Sequence, residues 1–132
     1  MQLEHLLEKY SFQKRIVRPD ILPSVIETGL PEDYITYLRH YHGFDGIIGE
    51  QYLSLWDIDT LLENNNGIQE FYPAAIGIGS DGAGELIALE HLSPNVYRVI
   101  LTPFIGMDCP IEIGESFTDF LARLDKGWSW FE

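Results

Sequence analysis

Ala75-Ile76-Gly77-Ile78-Gly79, Ser80-Asp81-Gly82-Ala83-Gly84 and Glu85-Leu86-Ile87-Ala88-Leu89-Glu90 follow one another without a break, and how they are read decides the fold. Two apolar stretches, each of strand length, flank a loop rich in Asp and Gly, the residues that suit tight turns. The segment reads as a β-hairpin. Its second strand is apolar at four successive positions, Leu86 to Leu89. Both faces of its pleat must then be covered, which places it centrally in a sheet. Gly77-Ile78-Gly79-Ser80-Asp81-Gly82 also matches G-x-G-x-x-G. A dinucleotide site needs that loop to open a helix whose N-terminus holds the pyrophosphate. Here a strand follows, and Asp81 would set a carboxylate beside the phosphates. The loop therefore reads as a turn, and no cofactor is expected.

Downstream, residues 96–101 form a third strand after the turn at Ser93-Pro94-Asn95, and 111–113 a short edge strand. Upstream, 51–56 read as a strand. Asp57 can cap a short helix through Ile58, Leu61 and Leu62, which Asn64-Asn65-Asn66-Gly67 is expected to end. Leu3, Leu6, Leu7 and Tyr10 predict a helix over 2–10, and residues 24–28 one further helical turn. The clearest helix begins at Pro31. Glu32 and Asp33 complement its dipole, while Tyr34, Tyr37, Leu38 and Tyr41 share one face. Gly43 is expected to close it in the left-handed conformation. Ser116 caps a final helix with Phe117, Phe120, Leu121 and Leu124 on its apolar face. The expected fold class is α+β: a single domain over 1–132, an antiparallel or mixed sheet of hairpins, and N- and C-terminal helices on one face of it.

Charge is the other strong signal. The chain carries 8 lysines and arginines against 21 aspartates and glutamates, a formal net charge of −13. None of the basic residues lies between Arg39 and Arg98. That stretch holds Asp45, Glu50, Asp57, Asp59, Glu63, Glu70, Asp81, Glu85 and Glu90. Such a field repels nucleic acid and anionic membrane and attracts basic partners. Acidic surfaces also simply keep proteins soluble, so charge alone does not decide. Composition is that of an ordinary globular chain, 45% hydrophobic. Cys109 is the single cysteine, and the N-terminus lacks a basic, apolar leader pattern; a reducing, cytoplasmic location is expected.

Catalytic patterns are sparse. Cys109 has no adjacent cation to lower its thiol pKa, and His5, His40, His42 and His91 are scattered. His40 and His42 are not at metal-ligand spacing. Asp57, Asp59 and Glu63 sit together, and Asp81 with Glu85 flank a turn; paired carboxylates can do acid–base or metal chemistry, but capping and solvated helix faces explain them as well. A small hydrolase or cofactor enzyme would require several of Cys109, His40, His42, Asp81 and Glu85 to converge in a deep pocket. No catalytic, cofactor-binding or metal-binding residue is expected. Trp128 and Trp130, in Gly127-Trp128-Ser129-Trp130-Phe131, either cover the core edge or form an aromatic anchor for a partner.

Leu30-Pro31-Glu32-Asp33-Tyr34 with Tyr41-His42-Gly43 resembles the LPxDY…YxG opening of the SMI1/KNR4 family, the SUKH superfamily. Tyr52-Leu53-Ser54-Leu55-Trp56 resembles its aromatic strand, residues 78–85 its GSDGxGE hairpin, and Ser116-Phe117-Thr118-Asp119-Phe120-Leu121 its closing SFxxFL helix. His42 stands where an asparagine is common. The resemblance spans nearly all of residues 1–125. It implies an α+β domain without known catalytic residues. Bacterial members look like immunity proteins that neutralise polymorphic toxins, many of them nucleases or deaminases with basic surfaces. Some eukaryotic relatives look like regulatory hubs. The expected partner is thus a cognate, basic toxin domain, with a regulatory interaction scaffold as the alternative. The expected contact residues, inferred from charge and, for the two tryptophans, from their aromatic character, are Asp57, Asp59, Glu63, Asp81, Glu85, Trp128 and Trp130.

Overall fold

The doubly apolar strand lies where its pattern demands. In the computed structural model, which describes residues 2–14, 30–71, 73–93, 96–103 and 110–127, it is β4 (Glu85–Ser93). It pairs with β3 (Ala75–Ser80) on one side and β5 (Val96–Pro103) on the other. β1 (Phe44–Ile48), β2 (Gln51–Leu55) and β6 (Ile111–Gly114) complete a six-stranded sheet in strict chain order, antiparallel throughout. The described helices are α1 (Gln2–Lys9), α2 (Glu32–His40), α3 (Ile58–Phe71) and α4 (Phe117–Asp125). The fold is the expected α+β class. The helical turn expected at 24–28 lies outside the described residues, as do Cys109, Trp128 and Trp130.

Successive residues of β4 serve different cores, as a period of two requires. Ile87 and Leu89 join Val99, Leu101 and the apolar faces of α1, α2 and α4. Tyr34, Tyr37, Phe117 and Phe120 fill the centre of this cluster, fully buried, with Tyr34 and Phe117 edge to face at 5.1 Å. Leu86 and Ala88 instead meet Ala75, Ile100 and Ile68 of α3. Helices therefore cover both faces of the sheet, not the single face expected, because α3 is longer than its sequence suggests.

The reason is Asn65. The run Asn64-Asn65-Asn66-Gly67 does not end the helix, which continues to Phe71. Asn65 is buried. Its amide donates to the Leu61 and Gly77 carbonyls at 2.8 and 2.9 Å, and its oxygen accepts from the Gly77 N–H at 2.8 Å. β2 pairs only with the last part of β3, at Ser54–Ser80 and Leu55–Gly79. Where β2 stops, the side chain of Asn65 supplies Gly77 with the hydrogen bonds of a neighbouring strand. Buried backbone groups demand such partners. The helix thus gains through tertiary pairing more than asparagine propensity costs it.

Three further differences are local. The chain forms β1, a strand not anticipated, which pairs with β2 through the turn at Gly49-Glu50, where Gly49 has φ +61°. Pro31 caps α2 with extended backbone (ψ 146°) instead of opening it, and the helix starts at Glu32. α2 closes on Tyr41, also extended, so Gly43 plays no left-handed role. A Cβ at Gly43 would fall 2.6 Å from the Leu55 carbonyl oxygen, so close backbone approach requires the glycine there.

Candidate functional site

Each acidic side chain singled out by sequence has a definite seat. Asp57 precedes α3; its Oδ1 accepts from the Ile58 N–H at 2.8 Å and its carbonyl from Leu61 N–H at 2.9 Å. Its other oxygen lies 3.0 Å from His42 Nδ1. Asp57 therefore performs the expected capping, and also ties α3 to the segment after α2. Asp59 and Glu63, four residues apart, are exposed on α3 with Asn66 and Glu70.

Asp81 and Glu85 organise the β3–β4 turn. Asp81 Oδ1 accepts from the N–H groups of Ala83 and Glu85 at 2.8 and 3.2 Å. Gly82 and Gly84 adopt φ +78° and +87°, the left-handed region that glycine occupies freely. Partial burial, then the neighbouring Asp81 carboxylate, holds the Glu85 carboxyl above its ordinary range. The G-x-G-x-x-G segment thus runs through a strand and a hairpin turn and opens no helix.

Asp57 and Asp81 lie at different points along β3. Trp56 N–H bonds to the Ile78 carbonyl beside Asp57, whereas Asp81 lies past the end of the strand. Counted along the strand, Asp81 comes three residues after Ile78, an offset of roughly 10 Å in the backbone. His42 pairs with Asp57, and among the described residues no hydrogen bond or ion pair joins it to Asp81 or Glu85, the contacts a small enzyme would build on. Among the described residues, no group of three His, Cys, Asp or Glu side chains is placed to hold a metal ion. No helix among them is long and apolar enough to cross a membrane.

Three of the described cations pair with acids outside the acidic stretch. Lys9 pairs with Asp125 at 2.7 Å, Lys14 with Glu8 at 3.5 Å and Arg123 with Asp119 at 2.9 Å. Arg98 neutralises Glu90, which is buried beside it on the sheet. Among the described residues no ion pair reaches Asp59, Glu63, Asp81 or Glu85.

One surface feature had escaped the charge-based reading. Ile47 and Tyr52 are cross-strand partners on β1 and β2, 63% and 44% exposed. The next pair on that face, Asp45 and Ser54, is hydrogen-bonded at 2.6 Å, and Tyr52 Oη reaches Asp45 at 3.4 Å. The alternation of Tyr52 and Ser54 with buried Leu53 and Leu55 carries the signal for this face.

A comparison with curated proteins returns no match. The family model described as SMI1 / KNR4 family (SUKH-1) matches residues 24–123, from before α2 into α4. α1 precedes the matched region yet packs Leu3, Leu6 and Leu7 into the main core. With the sheet, three of the four described helices and most of the chain inside the match, the protein belongs to the SMI1/KNR4 family (SUKH-1).

Proposed function

We propose that this protein is an immunity protein that binds a cognate toxin domain in the cytoplasm and neutralises it by docking, without making or breaking a covalent bond. One observation carries the reading: Asp59, Glu63, Asp81 and Glu85 have no basic partner among the described residues, while four of the chain's eight cations are engaged elsewhere. Membership of the SMI1/KNR4 family supports a protein-interaction role. A toxin that acts on nucleic acid carries a basic surface, and an acidic inhibitor would be steered to it at rates approaching ~10⁸–10⁹ M⁻¹s⁻¹ at low salt.

The test is stopped-flow association with the toxin domain encoded by the neighbouring gene. Asp59→Lys with Glu63→Lys should slow association about tenfold at low salt, and the difference should shrink as salt screens the field. Unchanged kinetics at every salt concentration would remove the acidic face from the mechanism. Failure of that domain to bind would favour a regulatory scaffold with cellular partners.

A further inference from the structure

We infer that the Ile47–Tyr52 pair is the apolar anchor of the docking surface, and that it takes a partner protein segment in which an apolar side chain is flanked by lysine or arginine. The inference rests on the immunity reading for the partner's identity, but its surface stands on separate observations.

The two side chains are neighbours in register on the β1–β2 hairpin, so they form one contact area. β1 ends the described sheet, and Ile47 is the most exposed large apolar residue in it. Tyr52 is held in place. Its hydroxyl lies 3.4 Å from Asp45 Oδ1, and its ring lies against Gly82, where an added Cβ would fall 2.8 Å from two ring carbons. An aromatic side chain already fixed in position loses little entropy on binding, which is the property of an interface anchor. The hydrogen bond from Ser54 fixes the Asp45 carboxylate in turn.

Charge selects the occupant. Asp45 borders the pair on β1, and the turn that supports Tyr52 carries Asp81 and Glu85. A second copy of this chain would bring these carboxylates against their own equivalents, which like-charge repulsion opposes. A cationic segment would satisfy them while burying Ile47 and Tyr52.

The probe is a five-residue peptide alternating lysine and leucine, with a lysine–serine peptide as its control, followed through amide shifts of the ¹⁵N-labelled protein. The lysine–leucine peptide should shift residues 45–54 and 80–85, and Ile47→Ser should weaken it about tenfold while leaving other amides in place. Equal shifts with both peptides would show a charge effect alone and overturn the anchor. So would undiminished binding to Ile47→Ser. Sedimentation closes the remaining route: a dimer that Ile47→Ser converts to monomer would make the occupant a second copy and sink the proposal. A toxin domain that binds the wild type and Ile47→Ser alike would sink the anchor while leaving the immunity reading intact.

Discussion

Asp33 Oδ2 accepts two hydrogen bonds from Thr118, one from its N–H and one from its hydroxyl, each at 2.9 Å, across 85 residues of sequence. The carboxylate of the LPxDY segment thereby caps α4 from outside while its Oδ1 accepts from the Tyr34 N–H. Ser116 and Asp119 complete that helix start: Ser116 Oγ accepts from Asp119 N–H at 3.0 Å, and Asp119 Oδ2 from Glu115 N–H at 2.9 Å. The Leu30–Tyr34 segment and the start of the last helix are thus one structural unit, which joins the N-termini of α2 and α4.

Asp33→Ala should destabilise the fold by about 2 kcal/mol, since charge-assisted bonds to a partly buried carboxylate are lost and helix donors are left open. Thr118→Val removes one of the two long-range bonds and should cost less. Urea unfolding checks the order; equal stability of Asp33→Ala and wild type would refute it.

Asn65→Asp should be worse than Asn65→Ala. Alanine leaves the Gly77 N–H and carbonyl without their partner, a cost of about 2 kcal/mol or more. Aspartate keeps the acceptor but sets a buried negative oxygen against the Gly77 carbonyl, where the amide N–H₂ now donates. Thermal unfolding of the pair at neutral pH reads this directly.

Two glycines should respond with opposite signs. Gly67 lies within α3 with nothing within 4 Å of an added Cβ, so Gly67→Ala should stabilise by about 0.5–1 kcal/mol. At Gly79 the same Cβ would fall 2.1 Å from the Ser54 carbonyl oxygen, in backbone that cannot yield without parting β2 from β3. Gly79→Ala should cost several-fold more than Gly67→Ala gains, as judged by denaturation midpoints.

Glu85→Gln should raise the melting temperature at pH 7. Because partial burial and Asp81 raise the Glu85 carboxyl in the folded state, the native protein holds that proton more tightly than the unfolded chain. The ionised form is therefore the destabilising one. The advantage of the variant should be present at neutral pH and close as pH falls through the raised value toward 4.5, the ordinary value for glutamate. A gain that persists unchanged to acid pH would locate its cause elsewhere.

Much of the scaffold was legible along the chain because its signals are local. The aromatic face of α2, the Ser116 cap of α4 and the bifacial apolarity of β4 each follow from the period of a single element. β1 was not legible: Phe44-Asp45-Gly46-Ile47-Ile48 holds a carboxylate and a glycine among its apolar residues, and only pairing with β2 makes it a strand. The extent of α3 was hidden for a related reason, since Asn65 finds the partner that keeps the helix going twelve residues away, at Gly77.

For the candidate site the division falls between charge and exposure. Sequence by itself determined the net charge of −13 and the cation-free stretch between Arg39 and Arg98, because composition survives any folding. Only tertiary structure decided that Arg98 meets Glu90, that His42 meets Asp57 at the start of α3, and that Ile47 faces solvent while Ile48 is buried. Adjacent residues of a strand point to opposite faces, and which face is covered depends on what the rest of the chain brings to it.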